Sequence, residues 1–164
     1  MKVTVLFVNN KTWYSALGAW LIRYIEGTGF SHTAVQIEYK EASYVYHAVY
    51  PTFKRESLSS FRTKYSLFKK YDFEIDADPL VIYNYLQTFT GRKYSVAQLL
   101  LIYLRRTSAI INKISNGWIL NHDNHLICSE FNAMFLQDFK DYKFTMKLDS
   151  VGLREIEKAC EELK

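Results

Sequence analysis

One cysteine of this sequence stands where a thiol could react. Cys128 follows the apolar pair Leu126 and Ile127 and precedes a segment whose apolar residues recur at helical spacing. A cysteine in the first turn of a helix lies near unpaired backbone N–H groups and the positive end of the helix dipole, which stabilise a thiolate and lower its pKa. The position therefore predicts either a nucleophile or, as for most free cysteines, a buried thiol of the core.

The second cysteine has a simpler interpretation. Cys160 shares one helical stripe with Leu153, Ile156 and Leu163, which predicts a small buried hydrophobe. Two cysteines without a CxxC spacing indicate neither a disulfide framework nor a thiolate metal site. A Cys128–Cys160 bridge is the alternative to two free thiols in a reducing compartment, and the free thiols are favoured.

A nucleophilic thiol needs a base and a group that orients that base, and two histidines qualify. In residues 30–39, apolar and polar residues alternate, so Thr33 and Val35 share one face of a strand while His32 lies on the other. His32 is therefore expected to face a cleft. His47 lies in the next strand and could reach His32 across the pair. The alternative for His47 is a hydrogen-bonded histidine within the sheet.

A third cluster has the spacing of metal ligands. His122 and His125 form an HxxH pair with Asp123 between them. Zinc sites usually need a further ligand from elsewhere in the chain, and none is evident. We therefore predict a polar loop here, and neither a metal nor a cofactor.

Four segments, in chain order, resemble those of one enzyme family: FSHTAVQI, YVYHAV, GRKYSVAQL and LICSEF. The family is that of the circularly permuted papain-like hydrolases, the NlpC-type group that includes YiiX/YebB-like proteins and lecithin retinol acyltransferase. The resemblance extends over residues 3–140. It implies a papain-like fold, with an antiparallel sheet packed against helices.

The resemblance also implies roles for individual residues. Cys128 would be the nucleophile, His32 the base and His47 the residue that orients the base, while Tyr94 would line the cleft. YiiX-like members more often carry Glu at the place of His47, whereas the acyltransferase branch carries His, so the subfamily stays open. The implied activity is a cysteine hydrolase of an amide or ester, acting on a peptide, a cell-wall peptide or a lipid. The alternatives are a thiol acyltransferase acting on lipid and a non-catalytic binding module on the same fold.

Composition limits the other functions. The chain has 164 residues and a net charge of +4, from 21 Lys and Arg against 17 Asp and Glu. Without a basic stripe interleaved with aromatics, no nucleic-acid partner is expected.

No secretory signal or spanning segment is evident, so we expect one soluble, cytoplasmic domain over residues 1–164. The segment LLLIYLRR could touch a membrane surface, although its all-round apolarity favours a buried helix. The oligomeric state stays open.

The elements around these residues predict an α+β protein. Strands are expected at 3–8, 30–39, 43–49 and 64–75, and helices at 13–25, 79–91, 96–106, 128–139 and 150–163. Asp78 and Ser95 are expected to cap the helices that follow them. Residues 50–61 are interpreted as a loop leading to a short helical turn, and 107–121 as irregular or weakly helical. Leu67 and Tyr71 are expected on the same face of their strand.

Overall fold

A single open sheet organises the protein. The computed structural model describes residues 1–11, 16–107 and 125–164. Its strands, neighbour by neighbour, follow the order β5-β1-β2-β3-β4-β6-β7. All pairs are antiparallel except β6 with β7. The strands are β1 (Lys2–Asn10), β2 (His32–Tyr39), β3 (Ala42–Val49), β4 (Thr52–Ser57), β5 (Tyr65–Glu74), β6 (Lys93–Tyr94) and β7 (His125–Leu126).

Helices cover both faces of this sheet and complete the predicted α+β class. They are α1 (Ala16–Glu26), α2 (Leu58–Lys64), α3 (Pro79–Gln87), α4 (Val96–Thr107), α5 (Cys128–Lys140) and α6 (Leu153–Glu162), with a 3₁₀ turn at Leu148–Ser150. The two predicted caps are confirmed. Asp78 accepts the N–H of Leu80 at 2.8 Å, and Ser95 Oγ accepts the N–H of Gln98 at 3.2 Å.

The hairpin of β2 and β3 sets which side chains meet. Lys40 and Glu41 both have positive φ angles, 49° and 63°, as a two-residue primed turn requires. The ladder between the strands then runs to the pair Val35 and Tyr46 and ends there. Beyond that point, His32 pairs with Val8 of β1. At the start of β2 and the end of β3, the two strands are therefore connected by side chains and not by the backbone ladder.

The two faces of the sheet carry cores of different size. The larger core contains Phe7, Val35 and Tyr46 and packs against Phe131 of α5. The smaller core lies on the opposite face, which is also the face of His32, and α2 covers it. It consists of Leu6, Val8, Ala34, Val45, Phe61 and Tyr65. Helix α2 thus covers the part of this face that lies beside the histidines.

Within residues 50–61, the predicted loop is wrong, whereas the short helical turn predicted after it is present. Thr52–Ser57 forms β4, which pairs with β3, and α2 follows directly. In β4, Phe53 enters the larger core while Lys54 lies directly across from His47. The run of charged residues obscured this alternation in the sequence.

The expected face of Leu67 is also wrong. The pairing of β1 with β5 shifts between Phe7 and Val8, so that Val8 lies opposite Leu67 and Phe7 opposite Lys69. This bulge places one additional residue in β5 and reverses the alternation on its far side. Leu67 is consequently 58% exposed, whereas Tyr71 is buried.

Helix α4 is not buried all round, contrary to the expectation. Val96 and Leu100 are each 55% exposed, and Ile102 is buried. The helix packs against α1, whose Trp20 and Tyr24 are exposed in turn. Among the described helices, none has both the length and the apolarity needed to cross a membrane. Residues 108–124, which include most of the segment predicted to be irregular, lie outside the described residues.

Candidate active site

Two histidines from neighbouring strands contact each other at the end of the β2–β3 ladder. The Nε2 of His32 lies 2.9 Å from the Nδ1 of His47. The His47 side chain is fully buried and His32 is nearly so. The structure therefore brings together the two histidines that the sequence singled out. Their contact uses one nitrogen of each ring, which leaves Nδ1 of His32 and Nε2 of His47 for other partners.

Glu56 is the residue that the sequence analysis missed. Its Oε1 lies 2.8 Å from the Nε2 of His47. Its Oε2 accepts a hydrogen bond from Ser60 Oγ at 2.9 Å and another from the Lys64 ammonium. Glu56, His47 and His32 thus form one hydrogen-bonded row, which we call the histidine row. The loop predicted within residues 50–61 hid Glu56, because only a strand places it diagonally across from His47.

Burial and charge hold the histidine row in a defined protonation state. Burial alone would raise the pKa of Glu56, but hydrogen bonds from His47, Lys64 and Ser60 lower it well below its usual range. Burial lowers the pKa of His47, against the opposing effect of Glu56. Burial, followed by the charge of His47, lowers the pKa of His32 well below its usual value. At neutral pH the row therefore contains one carboxylate and two neutral imidazoles.

Aromatic rings fix both imidazoles in place. Tyr65 stacks on His32 with ring centroids 5.3 Å apart. Phe61 of α2 meets His47 edge-on at 5.2 Å. These rings exclude water from the row, which is the physical reason why both imidazoles stay neutral.

Cys128 lies at the start of α5, and α5 packs against β2 and β3. Burial raises the pKa of its thiol to about 11, although the backbone N–H groups of Thr33 and Ser129 act in the opposite direction. The expectation of a lowered pKa at this helix start is therefore wrong, because burial outweighs the helix N-terminus. The effect of the Thr33 N–H places the sulfur near the peptide that joins His32 to Thr33. Cys128 itself belongs to the larger core, on the sheet face opposite the smaller core beside His32.

Tyr94 lies in β6, beside the short strand β7 that precedes Cys128. In the short parallel pair of β6 and β7, Tyr94 is the partner of Leu126, two residues before Cys128. Burial, followed by the charges of Cys128 and Tyr65, raises the pKa of Tyr94. Tyr94, Tyr65 and His32 line one cleft, whose other walls include Asn10, Ser31, Ala48 and Tyr50. Tyr94 and His32 therefore line the same cleft.

The thiol is less accessible than the cleft. Cys128 is 8% exposed, and within the described residues the cleft wall does not include it. Its carbonyl accepts a hydrogen bond from Asn132 Nδ2 at 2.8 Å, which holds the first turn of α5. Little of Cys128 is therefore accessible to a reagent in solution.

Of the other candidates, Cys160 and His125 lie among the described residues. Cys160 is fully buried in α6, in the larger core, as its stripe predicted. His125 forms part of β7, while His122 and Asp123 lie outside the described residues. In the described part of the chain, no group of three or more His, Cys, Asp or Glu side chains could hold a metal ion.

Comparison with known proteins does not assign the chain to a family. No protein-family model matches the chain, and no curated protein matches it. The geometry of the histidine row and Cys128 is therefore the basis for a functional proposal.

The burial of both thiols predicts their reactivity. In the folded protein, Cys128 should react with iodoacetamide faster than Cys160, because Cys160 is fully buried and burial raises its pKa as well. Since the Cys128 pKa is raised, its rate should increase about tenfold per pH unit between about pH 7 and about pH 9. Peptide mass spectrometry of timed samples measures both rates. Equal rates for the two thiols, or a Cys128 rate that is already constant near pH 7, would contradict this account.

Proposed function

We propose that this protein is a cysteine hydrolase that cleaves an amide or ester through an acyl-enzyme on Cys128, with His32 as the base. The observation that supports this most is the histidine row, which runs from Glu56 through His47 to His32. It ends at His32, the residue that precedes Thr33, whose backbone N–H acts on the Cys128 thiol. Buried polar groups are expensive to desolvate, so a buried row of three hydrogen-bonded polar side chains favours a chemical role over a packing role.

The protonation states define the acylation step. Because the thiol is protonated and His32 is neutral, the proton passes from Sγ to Nδ1 of His32 as the sulfur bonds to the substrate carbonyl carbon. The backbone N–H groups at the start of α5 would stabilise the oxyanion that forms. The bond to the leaving amine or alcohol then breaks, and that group takes the proton from His32.

The deacylation step uses the same nitrogen. Water gives a proton to His32 Nδ1 and attacks the thioester carbon. The carbon–sulfur bond breaks, the acid product leaves, and His32 returns the proton to Cys128. In an acyltransferase, an amine or alcohol would replace this water, with no other change in the residues.

The resemblance to the permuted papain-like hydrolases supports the same roles. An antiparallel sheet with the Cys128 helix packed across β2 and β3 is compatible with a papain-like fold. Relatives of the YiiX type often place a carboxylate where this chain has His47. Here Glu56 supplies a carboxylate one step further along the row, at the far nitrogen of His47.

Labelling with acyl electrophiles tests the proposal. A panel of activated esters and peptide electrophiles should attach an acyl group to Cys128, and Cys128→Ala should abolish the labelling. Cys160→Ala is the matched control and should label normally, because Cys160 lies in the core. His32→Gln should slow labelling by at least about 100-fold, since the base is lost. If the panel leaves Cys128 unlabelled while binding to the folded protein, the non-catalytic binding module is the better description.

A second candidate, action on a lipid, is favoured by an apolar groove between α1 and α4. Its walls are almost entirely apolar and consist of Gly18, Leu21, Ile22, Ile25, Glu26, Val96, Leu99, Leu100, Ile102 and Tyr103. Gly18 and Ile22 line this groove and also the cleft that contains His32. An apolar acyl chain in the groove would therefore place its carbonyl end towards the cleft.

The surface around the groove suits contact with a membrane. Trp20, Tyr24, Val96 and Leu100 are all more than half exposed on α1 and α4. Aromatic and aliphatic side chains that share one surface are typical of proteins that bind at the headgroup region. Peripheral membrane contact at this surface is thus part of the lipid proposal.

Chain length tests whether the groove holds an acyl chain. Ester substrates of increasing length should show kcat/KM values that rise by up to about fourfold per methylene, the gain expected for burying each group. Leu100→Glu should remove this dependence, because the charge would enter the groove. Leu80→Glu is the matched control, since Leu80 is an exposed leucine on α3, away from the groove. A flat dependence on chain length, or equal effects of the two variants, would count against the lipid proposal.

A further inference from the structure

Glu56 is a nearly buried carboxylate beside the smaller core of the sheet. Its side chain is 9% exposed, and it lies next to the smaller core under α2. We propose that Glu56 is a positioning residue: it selects the tautomer of both histidines and so places the basic nitrogen of His32 at Nδ1. The catalytic meaning of this inference depends on the proposed function, but the tautomers themselves do not.

The direction of each hydrogen bond follows from Glu56. An ionised carboxylate can only accept, so the Nε2 of His47 must carry its proton towards Oε1. A neutral His47 with a proton on Nε2 has its lone pair on Nδ1. The Nε2 of His32 must then donate to that lone pair. A neutral His32 with a proton on Nε2 has its own lone pair on Nδ1, where a base is needed.

Helix α2 fixes the orientation of the carboxylate. Ser60 and Lys64 are four residues apart, so both side chains project from one side of α2, and both donate to Oε2 of Glu56. This leaves Oε1 for His47. The ammonium of Lys54 lies 4.0 Å from Oε1, beyond hydrogen-bond distance, and so adds charge without competing for the bond.

Replacing Glu56 with glutamine should therefore reverse the direction of each hydrogen bond in the histidine row. The Lys64 ammonium can only donate, so it would hold the amide oxygen of Gln at the place of Oε2. The amide NH₂ would then face His47 and donate to its Nε2. His47 would carry its proton on Nδ1 and donate to His32 Nε2, and His32 would carry its proton on Nδ1. The base would be absent, although every hydrogen bond would still be made.

Lys64 supplies a rescue that a purely structural role would not predict. In the double variant Glu56→Gln with Lys64→Met, no ammonium holds the amide oxygen on the side of α2. Ser60 can accept from an amide NH₂ as well as donate to an oxygen, so the amide can turn its oxygen towards His47. The double variant should thus recover the original tautomers in whole or in part.

Nitrogen-15 NMR of histidine-labelled protein tests the inference without any substrate. In the unaltered protein, both His32 and His47 should carry the proton on Nε2. In Glu56→Gln both should carry it on Nδ1, and the double variant should return towards Nε2. Asp72→Asn is the matched control, because Asp72 is a hydrogen-bonded carboxylate on β5, and it should leave both tautomers unchanged.

Two results would overturn the inference. One is a proton on Nδ1 of His32 in the unaltered protein, a test that needs no variant to fold. The other is a folded Glu56→Gln protein whose tautomers match those of the unaltered protein.

Labelling of Cys128 supplies the catalytic readout. When the hydrogen bonds of the row are reversed, Nδ1 of His32 carries a proton and cannot act as the base. Glu56→Gln should therefore slow Cys128 acylation by at least about 100-fold, and the double variant should acylate faster than the single one. If the tautomers behave as expected and Cys128 never acylates, the proposed function fails and the positioning role stands. If Cys128 acylates and the tautomers do not change, the positioning role alone fails.

Discussion

The hydrogen bond between His32 and His47 is the contact on which the candidate site depends. It forms at the end of the β2–β3 ladder, where backbone pairing has stopped and the rings join the strands instead. The primed turn at Lys40 and Glu41 sets the register that makes this contact. Strand β4 then carries Glu56 to the outer nitrogen of His47. A shift of one residue in either pairing would turn one of these side chains to the other face of the sheet.

Burial is the second determinant, and it acts on both partners of the proposed reaction. It lowers the pKa of His32 and raises that of Cys128. A thiolate–imidazolium pair is therefore not the resting state. In the proposed reaction the pair starts neutral and the proton moves as the sulfur attacks, so the tautomer of His32 would decide whether a base is available. On that proposal, Glu56 at the far end of the row would influence the chemistry at Cys128.

Local sequence patterns predicted the elements that have a strong local signal. The alternation of residues 30–39 predicted β2, and the caps at Asp78 and Ser95 predicted the starts of α3 and α4. The missed features depend on partners far along the chain. Strand β4 exists because β3 pairs with it, despite its charged residues, and Leu67 faces solvent because of a bulge against β1. The Cys128 pKa likewise depends on what covers the helix start rather than on the helix itself.

The most direct test of the central claim is a crystal structure of the covalent adduct between Cys128 and an acyl electrophile. The account predicts that the sulfur lies within about 4 Å of His32 Nδ1, the distance that proton transfer requires with some allowance for the adduct. The Nε2 of His32 should still contact His47. A sulfur more than about 6 Å from both nitrogens of His32 would contradict the account, because no direct proton transfer could then occur.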